Sequence, residues 1–181
     1  FILIISSYSF AQNDLSLDNR FRLAQNYEEA GQLEKAEAIL RELVNINSYN
    51  YSYFDALTRI LIKQKKYSEA SELIENRLKQ TPQDINLYGL LGSVYFMSDN
   101  VTKAYETWER GLKINKSSIV ALRVIANYAI ENRAFEKAIE ILKRGKEISD
   151  EPEIFSIDLA NIYLANMRFT DAANEFCDLI I

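Results

Sequence analysis

The chain carries one pattern that recurs every 34 residues, and this period limits its fold more than any other feature. Five alanines keep the interval, and so do three rows of mostly bulky residues, without an insertion. A fixed period of this length is typical of solenoids, in which each repeat is a small structural unit that stacks on its neighbours. The rows are Ala36, Ala70, Ala104, Ala138 and Ala172; Leu23, Leu57, Leu91, Ile125 and Leu159; Leu33, Tyr67, Val101, Phe135 and Phe169; and Leu40, Ile74, Trp108, Leu142 and Phe176.

Each repeat contains two amphipathic patterns, which predict two helices, A and B. Only 5 Gly and 2 Pro are present, which suits helices joined by tight turns. Gly31, Asp99-Asn100 and Asn132 fall between A and B, where a residue that tolerates a left-handed backbone closes a helix. Pro82 and Pro152 fall between repeats and predict capping boxes with proline in the first turn. The sequence therefore predicts an all-α array over 17–181, with repeats 17–50, 51–84, 85–118, 119–152 and an incomplete 153–181.

Composition excludes several classes of function. The chain has no histidine, which removes Ser-His-Asp and Cys-His catalysis and His-ligated zinc. Its single Cys excludes an internal disulfide and a multi-cysteine metal site. The formal net charge of −5 argues against nucleic acid as the partner. We therefore expect no enzyme, no metal and no cofactor, and we expect a protein or peptide partner.

Residues 1–11 have the pattern that ends a secretory signal peptide. An apolar stretch begins at Phe1, and Ser9 and Ala11 fit the −3 and −1 positions of a cleavage site. Residues 12–16 are mostly polar and predict a short linker. The apolar stretch is well short of the ~20 residues that span a bilayer, so we expect no membrane insertion after cleavage. The prediction is export to the periplasm or envelope of a bacterium. The alternative is an apolar strand or helix that packs on the domain.

The repeat resembles the tetratricopeptide repeat (TPR) family over 165 of the 181 residues. In the third copy, the family's positions 4, 7, 8, 11, 17, 20 and 24 hold Tyr88, Leu91, Gly92, Tyr95, Val101, Ala104 and Trp108. Single positions depart from the pattern at Arg20, Thr58, Leu61, Arg77 and Ala129. An RNA-binding helical repeat of similar length is the nearest competitor, and both the spacing and the acidity disfavour it. The resemblance implies a right-handed α-solenoid of helix-turn-helix repeats whose A helices line a concave face.

The resemblance also implies that positions 5, 9 and 12 of each repeat face inward. Position 9 is polar in all five repeats, and its amides could pair with the backbone of an extended peptide. Position 12 is apolar in four repeats and could hold peptide side chains, while Arg59 and Arg123 could bind a carboxylate. The alternative is that the apolar row is buried between A helices and the amides are solvated. The predicted peptide-binding groove consists of Gln25, Arg59, Ile62, Ser93, Phe96, Arg123, Asn127, Ile130, Asn161 and Leu164.

The sequence stops at Ile181, inside the second helix of the fifth repeat, on the apolar residues Phe176, Leu179 and Ile180. Solenoids normally finish with a polar cap, so we expect further repeats or another domain. Without them, this end is expected to self-associate or bind a partner. Three functions stay open: a non-catalytic module that binds a peptide or partner subunit in its groove, an envelope scaffold that acts through its apolar C-terminal end, and a recruitment module of a longer protein.

Overall fold

Ten helices follow one another along the chain in this computed structural model, which describes the backbone of residues 2–177 and the side chains of residues 16–177. Within residues 2–177 there is no β-strand. The chain forms two compact units, Phe1–Leu73 and Ile74–Ile181, and the boundary falls within α4. The helices are α1 (Ile2–Glu29), α2 (Leu33–Ile46), α3 (Tyr51–Lys63), α4 (Tyr67–Gln80), α5 (Ile85–Met97), α6 (Val101–Ile114), α7 (Ile119–Glu131), α8 (Phe135–Ile148), α9 (Pro152–Ala165) and α10 (Phe169–Cys177).

The helix boundaries repeat with the period of the sequence. The B helices α2, α4, α6, α8 and α10 each begin 34 residues after the last, at the predicted row of Leu33 and its equivalents. The A helices α3, α5 and α7 keep the same interval, and α9 begins one residue early because Pro152 occupies its first turn. Helix α1 runs without a break through residues 2–16, where the sequence predicted a leader and a linker. Phe1 lies outside the described residues.

Every A helix ends in the same left-handed turn. The residue in the turn has a positive φ, and the next amide N–H donates to a carbonyl five residues earlier at 2.8–2.9 Å. This pattern is a Schellman motif, which pairs the carbonyls that a helix end leaves unsatisfied. The left-handed residues are Gly31, Lys65, Asp99, Arg133 and Met167. The prediction is confirmed for Gly31 and Asp99. It is wrong for Asn100, whose side chain instead caps α6 by accepting the amide N–H of Lys103, and for Asn132, because the Schellman bond places Arg133 in the left-handed turn.

The predicted capping boxes did not form. Asp84 caps α5 instead, since its side chain accepts the amide N–H of Asn86 at 3.0 Å. Pro82 lies in the turn before that helix rather than in its first turn. Pro152 does occupy the first turn of α9, but the residue before it, Glu151, makes no capping hydrogen bond through its side chain. Asp84 stands directly before α5, whereas Thr81 stands three residues earlier. The carboxylate of Asp84 therefore reaches the first free amides of the helix and Thr81 does not.

The core consists of three of the four rows that define the repeat, whereas the row that begins at Leu33 is half-buried or exposed, with Val101 at 40% and Phe169 at 65%. The five alanines are at most 1% exposed, which lets A and B helices approach closely. Leu57, Leu91, Ile125 and Leu159 are buried, as are Leu40, Ile74, Trp108 and Leu142. Two members differ: Leu23 is 44% exposed and Phe176 is 41% exposed. They lie in α1 and α10, on which no further hairpin packs within the part of the chain that the structure describes.

Residue size is matched across the contact between the A and B helices in the third and fourth hairpins. Gly92 of α5 faces Trp108 of α6, and a Cβ on this glycine would lie only 2.0 Å from the indole Nε1. The indole N–H donates to the carbonyl of Gly89 at 3.0 Å. In the fourth hairpin the same two positions hold Ala126 and Leu142, so a smaller B residue meets a larger A residue. This matching keeps the interior close-packed with different side chains in each repeat.

None of the described helices is long and apolar enough to cross a membrane.

Candidate functional site

The second unit opens a groove on helices α7 and α9, with α8 beneath it. A cavity of about 170 Å³ lies there, with two amides, Asn127 and Asn161, and the carboxylate of Asp158 in its wall. The rest of the wall is apolar. It consists of Ile130, Phe135, Leu142, Ile162 and Ala165. The structure therefore brings together Asn127, Ile130 and Asn161, three of the residues that the sequence placed on the inward face.

The helix period explains why the two amides lie on the open side. In α7 the buried face contains Leu122, Ile125 and Ala129, so Asn127 points away from the core. Helix α9 has the same arrangement one repeat later, and Asn161 is exposed in the same way. Ser118 fixes the start of α7, because its hydroxyl oxygen accepts the amide N–H of Ala121 at 3.3 Å. The spacing of one repeat therefore sets both amides beside the same cavity.

Arg123 and Asp158 cross the groove from α7 to α9. The Nε of Arg123 donates to Oδ2 of Asp158 at 3.0 Å, and both side chains remain partly exposed. This pair neutralises the two charges at the wall of the cavity. The sequence predicted that Arg123 would receive a carboxylate, and the structure supplies one from the next A helix.

Exposed apolar side chains share the helix faces of Asn127 and Asn161 by helical spacing. Val120 of α7 is 69% exposed, and Ile157 and Leu164 of α9 are also exposed. Leu164 is the last member of the predicted apolar row, and it lies in the open. Large apolar residues that share one open face of two neighbouring helices are typical of interaction sites.

Two predicted residues of α5 take up contacts within the protein. Ser93 is only 5% exposed, and its hydroxyl accepts a hydrogen bond from the side-chain amide of Asn132 at 2.7 Å. Phe96 is half-buried and stacks on Tyr105 and Trp108 of the following helix, with ring centroids 6.4 Å and 6.2 Å apart. Ser93 and Phe96 are therefore occupied by contacts with α6 and with Asn132, which follows α7.

The space between α5 and α7 is filled by one aromatic ring. Tyr128 of α7 lies against Gly89 of α5, where a Cβ would be 2.0 Å from the ring carbon Cδ2. The two helices pack directly on each other. The groove is thus closed at this step of the array and open at the next.

In the first unit, Arg59 is held by acidic residues of the chain itself. Its guanidinium donates to both carboxylate oxygens of Glu28 at 2.8 and 2.9 Å and to Asp55 at 2.7 Å. Lys63 also donates to Glu28 at 2.7 Å. The hydrogen bond from Arg59, assisted by Lys63, lowers the pKa of Glu28 to about 2. The carboxylate that the sequence expected from a ligand is therefore already present.

The remaining predicted residues of the first unit are Gln25 and Ile62. Gln25 is exposed on α1, and Ile62 is half-buried on α3. No hydrogen bond or cavity described for this unit joins them to Arg59. The predicted set therefore divides into three residues of the first unit and seven of the second.

Sequence reasoning missed Asp158, Phe135 and Ile162 as parts of the site. Asp158 stands 35 residues after Arg123, one repeat plus one residue, and this opposite charge was the signal that could have revealed the pair. A further cavity of about 370 Å³, lined by Glu75, Leu78, Lys79, Tyr88 and Arg110, has charges of both signs. Among the described residues, no three acidic or Cys side chains converge on a metal site.

Solved structures of TPR proteins share this fold. MamA from Desulfovibrio magneticus RS-1 is 16% identical, with a TM-score of 0.52 over 91% of this chain and 93% of that one. A thermophilic TPR protein of Thermus thermophilus, TTC0263, is 17% identical with a TM-score of 0.52 over 90% and 89%. TPR-like repeats of a putative kinesin light chain from Podosopora anserina are 21% identical with a TM-score of 0.54 over 89% and 92%.

These similarities confirm the predicted TPR-type α-solenoid fold. No curated protein is significantly similar to the chain in sequence. At the level of families, residues 5–175 match the ChAPs, described as Chs5p-Arf1p-binding proteins. Because this match extends over nearly the whole sequence, the chain belongs to the ChAPs family.

Proposed function

We propose that this chain is a non-catalytic protein-interaction module and that the groove on α7 and α9 binds an extended segment of a partner protein. The observation that carries the proposal is the meeting of Asn127, Ile130 and Asn161 at one cavity. The TPR resemblance implies that these three residues lie on the inward face of the array. An apolar pocket with a few polar groups at its edge is the usual form of a binding site.

The amide side chains and the apolar side chains of the groove contribute to binding in different ways. A side-chain amide both donates and accepts, so Asn127 and Asn161 can pair with a peptide N–H and C=O. The exposed side chains of Val120, Ile157 and Leu164 offer apolar surface on either side. Burial of peptide side chains against such surface provides most of the affinity, and the amides fix the direction of the segment.

The family supports a protein partner. Its description refers to proteins that bind Chs5p and Arf1p. The proposal of a non-catalytic role rests on the composition, since a chain without histidine lacks the commonest general acid–base residue. No nucleic acid or cofactor is part of the proposal.

The test compares an altered groove with an altered outer face. A partner is first purified in complex with the chain and identified, and its binding segment is mapped to a labelled peptide. We expect the pair of changes Asn127→Ala and Asn161→Ala to weaken that peptide at least tenfold, the loss of two hydrogen bonds of about 1 kcal/mol each. Asn174→Ala, an exposed amide of α10, is the matched control and should bind as the unchanged chain does. Equal binding by both variants, at equal melting temperature, would refute the proposal.

A scaffold that acts through α10 is the second candidate. Phe176 is exposed there although its equivalents in the other four hairpins are fully buried, and Phe169 is 65% exposed. The predicted continuation of this apolar surface, Leu179 to Ile181, lies outside the described residues. Phe176→Ser should abolish partner binding or self-association if this surface is used, and should change neither if the groove is used.

Export remains a proposal from residues 1–11, with the periplasm or envelope of a bacterium as the destination. It is supported by the small residues Ser9 and Ala11 in a cleavage pattern. Mass spectrometry of the protein from its native source tests it, because cleavage before Gln12 leaves a defined new N-terminus. A protein that retains residues 1–11 would contradict export by this route. Recruitment by a longer protein is compatible with the same groove.

A further inference from the structure

We propose that the cavity between α7 and α9 is an anchor subsite that takes one large aliphatic or aromatic side chain from an otherwise uncharged segment of the partner. This inference rests on the proposed function and narrows it to a chemical class of ligand. It depends on why the cavity exists, on what lines it, and on which charges surround it.

The cavity exists because one pair of positions changes size between repeats. At the step from α5 to α7, Gly89 and Tyr128 interlock and leave no space. One repeat later the equivalent positions hold Arg123 and Ile162. Ile162 is shorter than a tyrosine, and the guanidinium of Arg123 is held by Asp158 of α9 at 3.0 Å and does not line the cavity. The space that Tyr128 fills in one step is therefore left open in the next.

The size and lining of the cavity suit a side chain rather than water. About 170 Å³ has room for roughly five waters at about 30 Å³ each. Asn127, Asn161 and Asp158 supply the polar part of the wall, whereas Ile130, Leu142 and Ile162 supply only hydrocarbon that water cannot hydrogen-bond. A leucine or phenylalanine side chain that enters the cavity buries apolar area against these residues, which is favourable.

The charges around the cavity indicate an uncharged segment. Arg123 and Asp158 satisfy each other, and the exposed residues Val120, Ile157 and Leu164, which share these helix faces by helical spacing, are apolar. A charged peptide side chain would lose hydration here without gaining an unpaired partner. Binding should consequently depend little on salt, unlike binding to a charged groove.

Nuclear magnetic resonance with the full, isotope-labelled chain tests the anchor. The probes are capped seven-residue peptides of Gly, Ser and Gln with one central Leu, Phe, Ala or Lys, titrated to millimolar concentration. The Leu and Phe peptides should shift the side-chain amide signals of Asn127 and Asn161, to the same extent at low and high salt. The Ala peptide should bind at least tenfold more weakly, because it buries about three fewer carbons, and the Lys peptide should cause no shift.

A filled cavity provides the control. Ala165→Leu places extra hydrocarbon in the lining and should abolish the shifts from the Leu peptide. Ala173→Leu makes the same change on an exposed position of α10 and should leave them intact. Equal melting temperatures of the two variants exclude a folding defect as the cause.

The anchor is overturned if the Leu peptide causes no shift, if the Lys peptide binds as well as the Leu peptide, or if Ala165→Leu still binds. These outcomes leave the proposed function to its own test. If a mapped partner segment depends on Asn127 and Asn161 while the anchor fails, the groove is used with a different ligand chemistry. If that segment is also insensitive to both amides, the proposed function fails as well.

Discussion

Gly92→Ala should destabilise the protein, although the same change in a helix interior ordinarily stabilises it. Alanine is favoured over glycine in a helix by about 1 kcal/mol. At this position, however, the new Cβ would lie 2.0 Å from Nε1 of Trp108 and 2.3 Å from its Cδ1. Helix α5 cannot retreat without breaking its packing on α7, so the indole must move.

The magnitude follows from what the indole loses. Overpacking of a close-packed core costs about 1–3 kcal/mol. The indole N–H would also lose the carbonyl of Gly89, and a buried donor without a partner costs about 1–3 kcal/mol. After the gain of about 1 kcal/mol in helix propensity, we expect a net loss of about 1–5 kcal/mol. Urea unfolding followed by circular dichroism measures it directly.

A second substitution should rescue the first. Trp108→Leu in the Gly92→Ala background recreates the pair of Ala126 and Leu142 in the fourth hairpin. The double variant should be at least about 1 kcal/mol more stable than the sum of the single effects predicts. If Gly92→Ala stabilises the chain, or if the two changes are additive within about 0.5 kcal/mol, the matching of residue sizes across the hairpins is refuted.

Three further predictions concern single residues. Because the folded pKa of Glu28 is about 2, below its ordinary value of 4.5, stability should be full above pH ~4.5 and fall as the pH drops toward ~2. The loss should be about 1–2 kcal/mol after screening by the exposed partners Arg59 and Lys63, and acid unfolding of Glu28→Gln should lack this component. Ser118→Ala removes the cap of α7 and should cost about 1 kcal/mol in thermal unfolding, whereas an unchanged melting temperature would contradict the capping role. Tyr128→Ala removes the ring beside Gly89 and should destabilise the protein by about 3 kcal/mol or more. The space that it opens between α5 and α7 should let the Leu peptide shift NMR signals of α5. If the peptide still shifts only signals of α9, the space between α5 and α7 has stayed closed.

The fold could be predicted because the same residue pattern occurs five times along the chain. A single row such as Ala36 and its equivalents fixes the period, and helical periodicity then gives the buried face of each helix. The ends of the array were harder. Leu23 belongs to a row that is buried in the other repeats, yet it is 44% exposed. The pattern within one helix predicts which face turns inward, but burial of that face also requires a neighbouring hairpin.

Left-handed turn residues were predicted only where the residue type itself favours that conformation. Gly31 and Asp99 are residue types that tolerate a left-handed backbone, whereas Lys65 and Met167 are not. The Schellman hydrogen bond imposes the conformation in all five turns, and that bond belongs to the backbone. The preference of a residue for a left-handed backbone therefore predicted some of the five turns and gave no prediction for the others.

The candidate site likewise contains residues whose place could be predicted and residues whose place could not. Asn127 and Asn161 could be placed because one repeat of spacing puts equivalent positions side by side. Ser93 and Arg59 could not, since their partners, Asn132 and Glu28, come from other hairpins and depend on side-chain direction. A position in the repeat predicts which way a residue faces. It does not predict what the neighbouring repeat has already placed there.

Photo-crosslinking to the purified partner tests the central claim most directly. A photoreactive amino acid is placed at Val120 or Ile157 in the groove, and at Glu140 or Lys143 on the exposed face of α8 as matched controls. We predict that the two groove positions crosslink to neighbouring residues of one short partner segment and that the α8 positions do not crosslink. Crosslinks from α8 without any from Val120 or Ile157 would contradict the account.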